Sequence, residues 1–523
     1  MSFTESLDDL VLGSDDPLLG KHPCWERVRL SEIGDVLNGF AFSSKAFSKT
    51  EGTDLIRIRD IVEGTTETKY SGEFDPLYLV DAGDLLVGMD GDFNRAIWRG
   101  DPALLNQRVC KIQTDERFYR SRFLFHVLPG YLQAINRATS SVTVKHLSSL
   151  TLQDLPIPLP SAQEQDRIIA EVEKQFSRLD AATAALKRVQ VNLKRYRASV
   201  LKAACEGRLV PTEAELARKE GREYELADRL LERILRERRA RWEADTLAKM
   251  IASGKPPKDD GWKRKYKEPS GPSIAELPPL PIGWCWTALD QLIVVGPQNG
   301  LYKPAGSYGA GTPIVRIDDF QNDWHRSIGD LKCLRLSDDE HSTYRIEQDD
   351  ILINRVNSPS HLAKSVAVPT EWSGAVFESN MMRFQAASFI SIPWLLSYLY
   401  SQEGKSRLTS NAKWAVNQAS INQDDVRNTP VPLAPYEEQA RIAERISTLL
   451  VQTSRTAEQL SAQVSRASRL RQSVLQAAFC GRLLAQDPTD EPASVLLDRI
   501  RAERSASGLQ TVTRRRKQEL VHA

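Results

Sequence analysis

The sequence predicts an α+β protein built as a tandem duplicate, each copy a mixed, strand-rich globular domain followed by one long helix. Three observations carry this. A stretch starting at Trp25 returns at Trp284, 259 residues later; the same offset aligns Leu30 with Leu289 and Ile56-Arg57-Ile58-Arg59-Asp60 with Val315-Arg316-Ile317-Asp318-Asp319. The offset is 266 at Asp84-Leu85-Leu86-Val87 and Asp350-Ile351-Leu352-Ile353, and 274 from Pro156 to Leu209. The stepwise growth places insertions in two loops of the second copy. Finally, the best-matched part of each copy carries apolar residues at helical spacing, while the globular parts share only a skeleton.

The globular part of each copy reads as strands and turns. Asp54-Leu-Ile-Arg-Ile-Arg59 alternates with period two, and Asp350-Ile-Leu-Ile-Asn354 is a short apolar run between polar residues. Asn38-Gly39, Asp90-Gly91 and Gly100-Asp101-Pro102 mark turns. Helices are expected over Tyr119–Ala138 and Pro393–Leu408, and Met381, Met382 and Trp394 are expected in the core.

Leu155-Pro-Ile-Pro-Leu-Pro160 stops helix formation, because alternate prolines favour an extended strap. Ser161-Ala-Gln-Glu164 then has the pattern of a capping box, with Ser161 on an orphan amide and Glu164 reaching back. Nothing breaks the helix before Cys205, and Gly207 is placed as its left-handed stop. Its stripe runs Ile169, Val172, Phe176, Leu179, Leu186, Val189, Leu193, Tyr196, Val200; the second copy, Pro435–Cys480, offers Ile442, Ile446, Leu449, Leu460, Val464, Leu470, Val474. Each helix spans roughly 65 Å at 1.5 Å per residue. Such a stripe needs a partner, so the two helices are expected to pair as an antiparallel coiled coil with pseudo-twofold symmetry. The Pro/Gly/Lys-rich segment 253–281 reads as a linker.

Lys and Arg total 70 against 69 Asp and Glu, so the net charge of +1 does not point to a polyanion partner. Sixteen Lys/Arg nevertheless fall within Lys187–Arg241, either the solvated face of a long helix or a phosphate-tracking surface. Six dispersed cysteines without a CxxC pair fit a reducing cytoplasm; no signal-peptide core or membrane span is expected.

No catalytic constellation emerges. The seven histidines form no HExxH metal box. Gly404-Lys405-Ser406 lacks the leading glycine of a phosphate-binding loop, since position 399 is Leu399. Asp60 with Glu67 and Lys69 only mimics a nuclease's carboxylates and lysine in a turn-rich loop. Catalytic residues and metal ligands are therefore expected to be absent.

The order of parts is specific: a Trp-started domain, an L-P-x-P-L strap, Glu-Gln-x-Arg-Ile at residues 164–168 and 438–442, and Ala-Ala-x-x-Gly-Arg-Leu at 203–209 and 477–483. Over about residues 22–504 it resembles the specificity subunit of type I restriction-modification systems. The resemblance implies an N-terminal tail (1–21), target-recognition domains at 22–155 and 282–429, conserved helical spacers at 156–252 and 430–504, and a basic tail (505–523). It implies double-stranded DNA as ligand, two methyltransferase subunits docked on the helices, and separate restriction subunits. It places S-adenosylmethionine, ATP and Mg²⁺ on those partners and no cofactor on this chain.

Direct readout needs hydrogen-bonding side chains at base edges. In the first domain the candidates are Lys45, Asn94, Arg95, Asn106, Gln107, Arg108, Thr143 and Lys145; in the second, Lys303, Asn354, Arg355, Asn357, Ser358, Lys413 and Asn417. Two other readings are a two-headed structural tether and the targeting subunit of another restriction-modification type. Similar helices with dissimilar loops favour one docking partner and two different DNA half-sites.

Overall fold

The computed structural model describes residues 7–14, 16–138, 146–321, 324–416 and 418–506. They form two compact units, one drawn from residues 1–187 and 461–523, the other from 188–460.

In the first unit, Gly34–Asn38, Val109–Thr114, Leu85–Gly88 and Arg95–Ile97 lie side by side as an antiparallel sheet. Leu85–Gly88 is buried at every position because both faces are covered. Leu85 and Val87 join the core beneath the helix Ser121–Ala138, and Leu86 joins a smaller core with Ile56 and Trp98. The smaller core belongs to a five-stranded sheet ordered Phe47–Ser48, Lys69–Tyr70, Thr53–Ile56, Ala103–Leu105, Leu79–Val80.

The second unit repeats this arrangement. Ile293–Asn299, Met381–Ala386, Ile351–Asn354 and Ser365–Ala367 form its antiparallel sheet. Ile351 and Ile353 face one core and Leu352 the other. Met381, Met382 and Trp394 are buried, as expected. The helix expected over Pro393–Leu408 is instead two, Ile392–Tyr400 and Gln402–Leu408. Ser401 is extended between them and its side chain accepts from Gly404 N, so a new N-cap interrupts the run.

The proline strap is a strand in both copies. Pro156–Leu159 pairs antiparallel with Glu26–Arg29, and Pro430–Leu433 with Cys285–Ala288. The Glu-Gln pair then locks strap to helix. Gln165 is wholly buried; its Nε2 donates to Pro160 O at 3.1 Å and its Oε1 accepts from Arg120 N at 2.7 Å. Gln439 bonds Ala434 O and Ser391 N in the same way. Ser161 caps the helix by accepting from Glu164 N at 3.0 Å. The reciprocal half of the box does not form: buried Glu164 accepts the Trp25 indole N–H at 2.9 Å instead. A buried carboxylate requires a hydrogen-bond donor, and the indole supplies it.

The long helices run over Ala162–Cys205 and Tyr436–Phe479, 44 residues each. Gly207 and Gly481 close them at φ 63° and 65°. Along the first, shielded positions recur at Ile169, Val172, Phe176, Leu179, Thr183, Leu186, Gln190, Leu193, Arg197 and Val200, mostly in steps of three and four. Along the second they include Ile446, Leu449, Thr453, Leu460, Val464, Arg471 and Val474. Val189, Tyr196 and Leu470, expected in the stripe, are 45%, 46% and 44% exposed. Gln190, Arg197 and Arg471 hold the adjacent seam positions, because a two-helix seam is narrow and position outranks hydrophobicity.

Each unit contains the start of one long helix and the end of the other, running antiparallel. In the first, Arg471 pairs with Asp180 at 2.5 Å and stacks on Phe176 at 4.3 Å, while Arg167 reaches Asp490 beyond the helix end. In the second, Arg197 donates to Thr453 at 2.9 Å and Arg441 pairs with Glu213 at 2.6 Å. The following helical segments close each unit. Residues 493–506 bury Leu496, Leu497 and Ile500 in the first core, and Ala227–Ala252 buries Leu230 and Ile234 in the second. Part of the segment read as a linker is anchored, since Trp262 stacks on Trp242 with ring centres 5.9 Å apart.

Candidate nucleic-acid interface

The exposed polar candidates gather at one end of each antiparallel sheet. In the first unit, the loop after Leu85–Gly88 is pinned from below by buried Met89 and Phe93, the latter at φ 51°. Gly88 N donates to Asn94 O at 2.7 Å and Met89 N to Arg108 O at 3.0 Å. Asp90 ties three segments together, accepting from Arg108 Nη1 at 3.0 Å and meeting His146 Nδ1 at 2.8 Å. Asn94, Gln107 and Arg108 are exposed around this hub. Asn106 is half-buried, and its carboxamide oxygen accepts from Gln107 N at 2.9 Å, a brace for the loop. Lys45 is exposed on the short turn before the five-stranded sheet, outside this cluster.

Arg95 turns inward. Its Nε donates to Phe125 O at 2.5 Å and its guanidinium stacks 4.3 Å from the Phe125 ring centre; burial lowers its pKa to about 10. Thr143 and Lys145 lie outside the described residues, as does Asn417.

In the second unit the equivalent junction is a small sheet, Val356–Asn357 beside Ala419–Ser420 beside Lys413–Trp414. Its Val356–Ser420 pairing corresponds to the Asp90–His146 bridge of the first. Asn357, Ser358 and Lys413 are thus brought together. Ser358 Oγ lies 3.0 Å from His361 Nδ1, and Asn357 Oδ1 accepts from Ser358 N at 2.7 Å. Arg355 is partly committed, donating to Ser379 O at 3.1 Å.

Besides Arg95, two candidates need correction. Asn354 is wholly buried in the sheet, so no base edge can reach it. Lys303 is half-buried and bound to Glu340 at 2.6 Å, which holds that carboxyl below its usual range. Sequence reasoning missed Asp90, His146 and Trp414, the last 61% exposed on its hairpin. The Asp90-Gly91 turn was a signal for the first; an aromatic flanked by lysine was one for Trp414.

Two of the nuclease-like residues hold local structure. Asp60 accepts from Arg57 N at 2.9 Å, as Asp319 does from Arg316 N at 2.8 Å, and Lys69 pairs with Asp54. Among the described residues, no group of three His, Cys, Asp or Glu side chains is placed to hold a metal ion, and no helix is long and apolar enough to cross a membrane.

The model of the type I restriction modification DNA specificity domain matches the chain twice, at residues 24–192 and 297–466. The chain belongs to the type I restriction-modification specificity family. It is 32% identical to the type I restriction enzyme EcoBI specificity subunit of Escherichia coli, over 99% of this chain and all of that one. To the StySPI specificity subunit of Salmonella potsdam it is 25% identical, over 94% and 98% of the two chains. A chain from a solved type I restriction-modification system superposes with a TM-score of 0.60 at 18% identity, covering 88% of this chain and 99% of that one. Its fold is therefore shared at a distance where sequence has largely diverged. Each of the two matches to this specificity subunit falls almost wholly within one of its two compact units.

Proposed function

We propose that this specificity subunit reads a bipartite double-stranded DNA target, one half through residues 22–155 and the other through 282–429. The helical segments 156–252 and 430–504 dock two methyltransferase subunits, and restriction subunits join that assembly. The chain itself is non-catalytic: S-adenosylmethionine, ATP and Mg²⁺ act on the partner subunits.

One observation carries this reading. The same junction of the same sheet bears Asp90, Arg108 and His146 in one unit and Asn357, Ser358, Lys413 and Trp414 in the other. Equivalent scaffolds presenting different hydrogen-bonding surfaces suit two different base sequences. The base-reading set proposed is Asn94, Asn106, Gln107 and Arg108, with Arg355, Asn357, Ser358 and Lys413.

The test replaces residues 22–155 with the corresponding part of a relative and sequences the methylated motif in cells that express the complex. One half of the motif should change and the other persist. If both halves change together, one domain does not read one half-site.

A further inference from the structure

A cleft recurs in both units between the recognition fold and the long helices. In the first it measures about 570 Å³, in the second about 380 Å³. Their linings correspond through the internal repeat. Phe176 stands where Leu450 stands and Arg471 where Arg197 stands, each pair 274 residues apart, while Phe125 with His126 and Leu399 with Tyr400 come from the equivalent helices Ser121–Ala138 and Ile392–Tyr400. In each case the arginine comes from the long helix of the other copy.

Both clefts are cationic, through different residues. Arg95, Arg99, Arg122 and Arg471 line the first, against Glu63, Glu173 and Asp180. Arg197, Lys364 and Lys405 line the second with His361, and among the described residues no carboxylate lines it. The half-buried Lys364 and Lys405 are held by carbonyls, Ile317 O at 3.0 Å and Ser360 O at 3.1 Å. Burial lowers the pKa of both lysines; Asp318 and Asp319 oppose the shift at Lys364, and at Lys405 burial alone acts.

The first cleft also holds an orphan. His126 is 5% exposed and its Nδ1 has no hydrogen-bond partner, while its Nε2 lies 3.7 Å from Glu173 Oε1. A buried ring nitrogen with no partner inside the chain can take a hydrogen bond from outside it.

We infer that the paired clefts are receptor sites for an acidic segment of the docking subunit, one Asp- or Glu-bearing loop or helix end seated in each. This rests on the proposed docking of two methyltransferase subunits and names the chemistry of the contact. The helix-borne wall keeps its arginine in both copies, as a partner that docks twice requires. The head-borne wall changes residue types but keeps its sign. Each cleft is a concavity large enough for several side chains, whereas a backbone phosphate needs only a surface contact.

The experiment titrates the full chain with its methyltransferase subunit by calorimetry, using Arg99→Glu, Lys405→Glu and both together. Each single change should weaken one of two binding events by about tenfold or more, and the double change both. Arg99→Gln and Lys405→Gln should lose less, and a Lys substitution at the seated acidic residue should restore binding to Arg99→Glu. Undiminished two-site binding by the charge-reversed chain overturns the inference. So does intact binding accompanied by weaker affinity for a duplex oligonucleotide, which assigns the clefts to DNA. If the wild-type chain itself binds no methyltransferase subunit, the docking reading falls and the clefts with it.

Discussion

Arg167 and Asp490, 323 residues apart in sequence, meet in a two-pronged ion pair at 3.0 and 2.5 Å. The equivalent Arg441 pairs with Glu213, which also takes Arg222 and is only 2% exposed. Each helix start is therefore clasped by the segment that follows the other helix. The two clasps should differ in strength. Asp490→Ala removes a pair with a partly solvated arginine and should cost about 1 kcal/mol. Glu213→Ala strands two arginines beside a buried site and should cost about 2 kcal/mol, with partial exposure of both arginines keeping it below a fully buried pair. Denaturant midpoints of the single variants test the order; a larger loss from Asp490→Ala contradicts it.

The second clasp carries a pH dependence. Burial raises the Glu213 carboxyl, but Arg222 and Arg441 outweigh it and hold it below its usual range. A lowered folded-state pKa contributes stability above the unfolded value, about 4.3, that is lost as pH falls through the folded value. Glu213→Gln should therefore flatten the acid side of the stability profile, with little change in its shape above neutrality. Parallel acid limbs for both proteins would assign the loss elsewhere.

Gln107 and Lys413 are exposed at the two proposed reading junctions. Replacing either with Ala should cost about 1–3 kcal/mol of discrimination if it contacts a base edge. Gln107→Ala should broaden the first half of the methylated motif only, and Lys413→Ala the second half only. Uniform weakening across sequences, with a shallower salt dependence, would identify a phosphate contact instead.

Asn354 provides the complementary case. Its amide oxygen and nitrogen are buried with no hydrogen-bond partner. Asn354→Ala should leave the motif unchanged and shift the melting of its own unit. A changed motif in a fully stable protein would return this residue to the interface.

Val189 and Leu193 differ in the same helix. Val189→Ala, at an exposed position, should stay within about 0.5 kcal/mol. Leu193→Ala, at a shielded one, should cost about 1–2 kcal/mol, less than a fully buried leucine. Thermal melts of the two variants check this.

The long helices, the straps and the glycine stops were legible because each rests on local physics: spacing, proline geometry and left-handed φ. The seam was only partly legible. Arg197 and Arg471 occupy it by position, and no hydrophobic count selects an arginine. The break at Ser401 was hidden because the run offers only weak breakers, Gly404 and scattered serines, and none of them marks where the helix stops. The interface was least legible. Asp90, Arg108 and His146 become neighbours only after strands pair, and Asn354 looks like its reading neighbours until the sheet buries it.

The exchange of clasps also bears on ancestry. A single-copy precursor, one head with its helix and tail, holds no tail placed to grip its own helix start in this manner. It would have drawn that tail from a second molecule, at whatever concentration the cell supplied. Joining the copies through residues 253–281 fixes the donor's effective concentration on the order of millimolar. Each head is then free to drift in sequence while its clasp remains inherited from its sibling.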